Sequence, residues 1–344
     1  MEEREIYVYE RALGEILSRD LYIRQNMLFM KKGTIINRYH LSKLQKQGIQ
    51  KLWTYSNERE VAVHRREVKE EVQQEYRRNS ASIKRIMQGI AGGKVLDFTK
   101  VEEISQGILA GIDRYSHLVD CMNELRRADE YTYNHCINVS IYAMLLGKWS
   151  GLSNQDLERV VQAGLLHDIG KAKIPDEILN KKGRLTEQEF SVMKEHAALG
   201  YQMLKYNRSI PEDVKKPVLS HHERMDGSGY PEKTKALDLY TRIIAIADVY
   251  DALTSQRVYK KKKNPFETIK ELKDIGYHHF DTKLLMIFTE NITDYYIGSR
   301  VRMRNGKIGR IVSVMKGNRP IIETESRFVK LNSTEYREIQ EMIS

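Results

Sequence analysis

The stretch His221-His222-Glu223-Arg224-Met225-Asp226-Gly227-Ser228-Gly229-Tyr230-Pro231 has no ordinary explanation as core or turn. Adjacent histidines, a pair of acids and two turn-forming glycines ahead of Tyr-Pro point to metal chemistry beside a tightly bent loop. Working outward, five of the ten histidines (His135, His167, His196, His221 and His222) are set among residues chosen for something other than packing. His40, His64, His117, His278 and His279 read as structural. Neutral imidazole suits Fe, Mn, Zn or Ni, and a carboxylate can bridge two such ions. Carboxylates are at hand. Asp168 follows His167 directly, and Asp248 lies in Ala245-Ile246-Ala247-Asp248-Val249-Tyr250-Asp251, an apolar helical stretch where a bare carboxylate is costly to bury without a cation. In His167-Asp168-Ile169-Gly170-Lys171, Gly170 is expected to let the backbone turn tightly and deliver Lys171 near the metals.

These residues sit in a helical block. Apolar residues recur at three- or four-residue steps from Val101 through Ile104, Ile108 and Ile112 to Leu118, Met122 and Leu125. Ser153 with Asp156, Thr186 with Glu189, and Asn264-Pro265 with Glu267 mark helix starts, and Gly276 is expected to close the last of these helices. Six or more helices fit between Val101 and Asn291. The spacing therefore predicts a mainly α protein with four segments. Residues 1–57 form a small α+β module. Residues 58–100 form a charged helical connector closed by Gly92-Gly93, its charges on a solvated face. Residues 101–292 form the helical domain, and 293–344 a small β-rich module with Gly and Asn turns.

At 344 residues the chain suits two or three domains, given roughly 150 residues per domain. With 41% hydrophobic and 30% charged residues, 6 Pro and 21 Gly, it is neither collagen-like nor wholly disordered. The net charge of +10 raises the prior for a polyanionic partner. Two cysteines, Cys121 and Cys136, are too few for a disulfide framework and fit a reducing cytoplasm. The acidic start Met1-Glu2-Glu3-Arg4-Glu5 is unlike an export signal, and no apolar run approaches the ~20 residues of a membrane span.

The series His135, His167-Asp168, His196, His221-His222 and Asp248 resembles the HD superfamily of metal-dependent phosphohydrolases, and the stretch from His221 to Pro231 resembles the signature of its HD-GYP branch. Asp129-x-Tyr131-Thr132-x-x-His135, His196-x-x-x-Gly200 and Asp248-x-x-Asp251-Ala252-Leu253-Thr254 with Arg257-x-Tyr259 match as well. The resemblance implies an all-helical HD-type catalytic domain that hydrolyses cyclic di-GMP to pGpG, and in some members on to GMP. It implies a metal cage of His135, His167, Asp168, His196, His221, His222 and Asp248, with Asp168 bridging. Two divalent ions, iron or manganese, would hold the attacking water as a bridging hydroxide. The implied catalytic residues are Asp168 and Lys171. Lys171, Arg257 and Lys260 would meet the ligand's phosphates, while Gly229 and Tyr230 would shape or stack on the substrate. Glu223, Asp226, Asp251 and Thr132 are expected behind the ligands, where they orient histidines or shape the loop.

Two departures matter. Tyr131 occupies the position where some family members place a glutamate for a third ion, so two metals are favoured, with Glu130 one step away. Cys136 replaces a common serine and reads as a small buried side chain. Nine helical steps of ~100° separate Asp248 from Arg257, so their helix must stop or bend around Thr254–Gln256 if both serve one site. Two other functions stay open: a phosphohydrolase for another cyclic dinucleotide, such as the mixed GMP–AMP ring, and a cyclic-dinucleotide-binding scaffold with little turnover. Nucleic acid is not the expected partner. Arg300, Arg302, Arg304, Lys307 and Arg310 read instead as solvated charges of a docking or dimerisation module, which leaves a homodimer open.

Overall fold

The computed structural model describes residues 3–343 apart from 10–11, 24–26, 35, 37, 57, 112–130, 255–262 and 326, with backbone alone at 38, 58–65, 68–69 and 131. In the N-terminal module β1 (Glu3–Tyr7) pairs antiparallel with β4 (Lys51–Tyr55), and β2 (Leu21–Ile23) with β3 (Met27–Met30); α1 (Arg38–Lys46) lies between β3 and β4 in sequence. Val8, Leu17, Ile36, Leu44 and Leu52 give this module a core of its own.

The connector is a single helix, α2 (Glu58–Ala91), which closes at Gly92-Gly93 with Gly93 at φ +88. Its charged text conceals a buried stripe. Val72, Tyr76, Ser80, Ile83, Met87 and Ile90 recur every three or four residues, so one face packs into the main core while Glu70, Glu71, Arg77, Arg78 and Arg85 face water.

The helical domain follows as α3 (Phe98–Ala110), α4 (Tyr131–Trp149), α5 (Asn154–Leu166), a 3₁₀ turn at Ile169–Lys173, α6 (Asp176–Leu179), α7 (Glu187–Lys194), α8 (His196–Leu204), α9 (Glu212–Ser220), α10 (Leu239–Thr254), α11 (Pro265–His279) and α12 (Thr282–Ile292). The mainly α class read from the sequence holds. Capping boxes form at Ser153/Asp156, Thr186/Glu189 and Asn264/Glu267 as expected. Gly276 is a correction: α11 runs three residues past it to His279. The glycine is there for space, because a Cβ would lie 2.7 Å from Leu285 Cδ2 and 2.9 Å from Phe280 Cδ2. Among the described residues no helix is long and apolar enough to cross a membrane.

The C-terminal module is one antiparallel sheet in the order β8 (Phe328–Lys330), β7 (Arg319–Thr324), β6 (Ile308–Met315), β5 (Arg300–Met303), β9 (Ile339–Ile343). Its inward residues Val301, Ile311, Val314 and Ile322 join the same core as the helices. Asn264 ties the two together. Its Oδ1 accepts from Glu267 N at 3.0 Å, while Nδ2 donates to the carbonyls of Tyr336 (2.8 Å) and Ile339 (2.9 Å). Asn264→Ala is therefore expected to cost about 2 kcal/mol, roughly 1 for the cap and the rest for the bonds lost at two carbonyls, of which that of Tyr336 keeps the Ile339 N–H as a donor. Denaturant unfolding measures this; a loss below ~0.5 kcal/mol would mean that the carbonyls find other partners.

Candidate metal centre

Three of the five histidines sit where a helix ends, and the reason is chemical. The last carbonyls of an α-helix have no intrahelical donor. The Nδ1–H of a histidine just past the end can satisfy one of them. His167 Nδ1 lies 2.7 Å from the Gly164 carbonyl, His196 Nδ1 2.7 Å from that of Met193, and His221 Nδ1 3.1 Å from those of Pro217 and Val218. A carbonyl only accepts, so in each ring Nδ1 carries the proton and Nε2 presents a lone pair. His135, inside α4, is held by Asp251 instead, with Nδ1 2.7 Å from Oδ2. Asn138 Nδ2, one turn further on, donates to Asp251 Oδ1 at 2.9 Å.

The inward-facing ring nitrogens converge. His135 and His167 with Asp168 make one buried group, and His196, His221 and His222 make a second. Asp168 joins them: Oδ2 lies 3.4 Å from His167 Nε2 and 3.6 Å from His135 Nε2, and Oδ1 lies 3.3 Å from His196 Nε2 and 3.9 Å from His221 Nε2. Asp248 also reaches both groups, with Oδ1 3.1 Å from His135 Nε2 and Oδ2 3.8 Å from His222 Nδ1. The structure thus brings all seven expected ligands together around one carboxylate.

Electrostatics test whether these residues suit a cation. Burial pushes His196 down, pushes His221 well down with help from the neighbouring His222, and takes His222 to about 3, so all three are neutral at pH 7. Burial opposes the charge on Asp168, yet the Lys171 ammonium beside it holds its carboxyl well below the usual range. Asp248 stays ionised against burial through its bond to His135, whose own imidazole is raised, against burial, by Asp248 and Asp251. His196 and His221 therefore face each other at Nε2 across 3.2 Å with two lone pairs and no proton, and among the described residues nothing donates a hydrogen bond to the buried Asp168 Oδ1 beside them. Three convergent acceptors without a donor fit a cation. The spacing also fits, since two nitrogens ~2.1 Å from a common ion at tetrahedral or octahedral angles are about 3.0–3.4 Å apart.

Lys171 arrives as expected, its Nζ 2.5 Å from Asp168 Oδ2. Gly170 acts differently from expectation. Its backbone is not in a glycine-only conformation; a Cβ there would stand 1.9 Å from the His196 carbonyl oxygen and 2.6 Å from Gly200 N, so the absent side chain lets the turn after Asp168 lie directly on the start of α8. In the signature loop Gly227 has φ +80, whereas Gly229 is held by close packing, 2.4 Å from Glu223 Cα to its would-be Cβ. Of the two roles read for Glu223 and Asp226, the loop-shaping one is visible. Glu223 Oε1 accepts from Glu232 N (2.6 Å) and Lys233 N (2.9 Å), and Asp226 accepts from Ser228 N and Oγ and approaches His279 Nδ1 at 3.1 Å. Tyr230 stacks on His222 with centroids 4.6 Å apart and planes 27° apart, and Lys194 Nζ lies 5.8 Å from the Tyr230 ring. Thr132, in the first turn of α4, enters none of these contacts. Cys136 is fully buried, and burial pushes its thiol up, which suits packing and not ligation. Arg257, Lys260 and Glu130 lie outside the described residues, as does the expected bend after Thr254.

Asn138 and Arg224 were not singled out by the sequence. Asn138 sits one helical turn after His135, a spacing that could have found it. Arg224, enclosed by the loop, donates to the carbonyls of His221 (3.2 Å) and Glu223 (2.8 Å) and lies 5.2 Å from the Phe280 ring.

Known proteins bear on this arrangement. A family model described as HD domain matches residues 116–284. The chain is 35% identical over 222 residues to the cyclic di-GMP phosphodiesterase PA4108 of Pseudomonas aeruginosa, which is 64% of this chain and 53% of that protein. It is 34% identical over 176 residues to the 3′3′-cGAMP-specific phosphodiesterase 2 of Vibrio cholerae, 50% of this chain and 34% of that one. To the cyclic di-GMP phosphodiesterase response regulator RpfG of Xanthomonas campestris pv. campestris it is 42% identical over 149 residues, 41% of this chain and 39% of that one. The chain thus spans between about a third and about half of the length of these relatives. The matched region contains every residue of the cage and the whole loop folded against it, and on that ground the chain belongs to the HD-GYP family of HD-domain proteins.

Proposed function

We propose that the protein is a metal-dependent phosphodiesterase that opens cyclic di-GMP to pGpG, with further cleavage to GMP as a second step. The observation that carries this is the division of Asp168 between two imidazole groups, which suits two divalent ions held side by side. Iron or manganese fits the mixed imidazole and carboxylate donor set, and two ions are favoured over three. When bound, such ions supply an acidified water and positive charge for the phosphoryl oxygens.

The protein's own residues do the rest. Asp168 and Asp248 hold negative charge between the two groups, and Asp251 keeps Nδ1 of His135 protonated so that Nε2 stays turned inward. Lys171 is anchored on Asp168 at the mouth of the cage, where a phosphate oxygen would meet its ammonium. Arg257 and Lys260 are assigned to the ligand's second phosphate. Gly229 permits the tight loop that lays Tyr230 on His222, and the Tyr230 ring is assigned to stack on a purine of the ligand.

A second reading, hydrolysis of the mixed GMP–AMP ring, is favoured by the likeness to the Vibrio cholerae enzyme and by a cage that engages phosphate instead of base. One chromatographic assay separates the two. Protein purified without chelators and supplied with Mn²⁺ or Fe²⁺ is expected to convert cyclic di-GMP to pGpG faster than it opens 3′3′-cGAMP, with metal content measured in parallel. Faster opening of the mixed ring selects the second reading. No turnover of either ring by a fully metallated sample leaves a binding scaffold.

A further inference from the structure

The connector helix α2 enters the metal cage through a line of hydrogen bonds. Tyr76 OH lies 2.8 Å from Asn138 Oδ1, Asn138 Nδ2 donates to Asp251 Oδ1 at 2.9 Å, and Asp251 Oδ2 receives His135 Nδ1 at 2.7 Å. All four side chains are buried. The direction of each bond is fixed by elimination. The Asp251 carboxylate only accepts, so the amide nitrogen of Asn138 must face it and its oxygen must face Tyr76. The Asn138 oxygen and the Asn134 carbonyl, 3.3 Å from the hydroxyl, both only accept, so Tyr76 is the donor. The same helix is fastened twice more beyond this contact: Ser80 Oγ donates to Asn134 Oδ1 at 2.7 Å, and Lys173 Nζ, in the turn that carries Lys171, donates to the Ile90 carbonyl at 3.1 Å.

From this geometry we infer that Tyr76 is a positioning residue of the metal centre: the connector sets the orientation of Asn138 and Asp251, and through them the aim of His135 Nε2. The inference rests on the reading of the cage as a metal site. It makes metal affinity depend on how α2 is seated, so that a displacement of the connector would be felt at the ion on the His135 side before it reached the His196 side.

Tyr76→Phe keeps the ring and removes the donor. Mn²⁺ binding is followed by the loss of the free-ion EPR signal during titration of metal-stripped protein. The variant is expected to bind the weaker of its ions about tenfold less tightly, the lower end of what outer partners of metal ligands contribute. Ile83→Val, a buried neighbour on the same helix face, is the control for plain loosening of the contact, with apo thermal stability measured for both. Asp251→Asn and the double variant complete a cycle, in which Tyr76→Phe is expected to have no further effect once Asp251 is changed. Unchanged Mn²⁺ affinity in Tyr76→Phe overturns the inference, as does an equal loss in Ile83→Val or full additivity with Asp251→Asn. Wild-type protein that takes up no Mn²⁺ fails at an earlier step and overturns the metal reading itself.

Discussion

Asp168→Asn is expected to abolish hydrolysis while leaving the fold intact. The amide keeps the shape of the carboxylate and removes the charge that both imidazole groups share. It also strips Lys171 of its partner at 2.5 Å. Loss of charge at this point weakens both halves of the cage together, so we expect kcat/KM to fall by about 10³-fold or more, with bound metal reduced to about one ion or none. Chromatography of the product and elemental analysis of the same sample read the two effects, and far-ultraviolet circular dichroism checks the fold. A variant that retains activity within tenfold of wild type would show that Asp168 is a neighbour of the chemistry and not its centre.

Gly170→Ala is the second large effect, and it acts through space instead of charge. A methyl group 1.9 Å from the His196 carbonyl oxygen and 2.6 Å from Gly200 N cannot be housed by rotating a side chain, since both obstacles are backbone. Either the turn after Asp168 or the start of α8 must move, and each carries a cage residue. Overpacking of this kind costs about 3 kcal/mol or more, or roughly 6–12 °C in melting temperature for a domain of this size. The part that does fold is expected to lose metal, because His196 is displaced with its backbone. Differential scanning calorimetry and metal content test this; wild-type values for both would mean that the contact between turn and helix is loose in solution.

Much of the site was legible because its information is local. The runs around His167, His221 and Asp248 named residues that the fold brings together, and the capping pairs at Ser153, Thr186 and Asn264 placed helix starts correctly. What the sequence concealed depends on contacts between distant segments. Gly170 and Gly276 read as bends because a glycine's usual signal is conformational, whereas both are glycines of close approach, to His196 and to Leu285. Glu223 lies beside two ligands in sequence yet serves the loop at Glu232 and Lys233, a pairing set only when the chain doubles back. Asn138 and Tyr76 stand 62 residues apart. The connector's heavy charge pattern masked the six-residue stripe that brings Tyr76 to Asn138.

That stripe bears on where the molecule can be cut. The matched family segment begins at residue 116 and ends at 284, and its second limit falls inside a helix. On one side the face of α4 that carries Asn134 and Asn138 is roofed by α2; on the other, α12 is divided, and Val301, Ile311 and Ile322 of the sheet fill the same interior as the helices. The unit recognised by sequence likeness is thus smaller than the unit that folds. A fragment trimmed to the former would present an open apolar flank at each end, and a stable one must keep the connector from about Val72 onward together with the whole sheet.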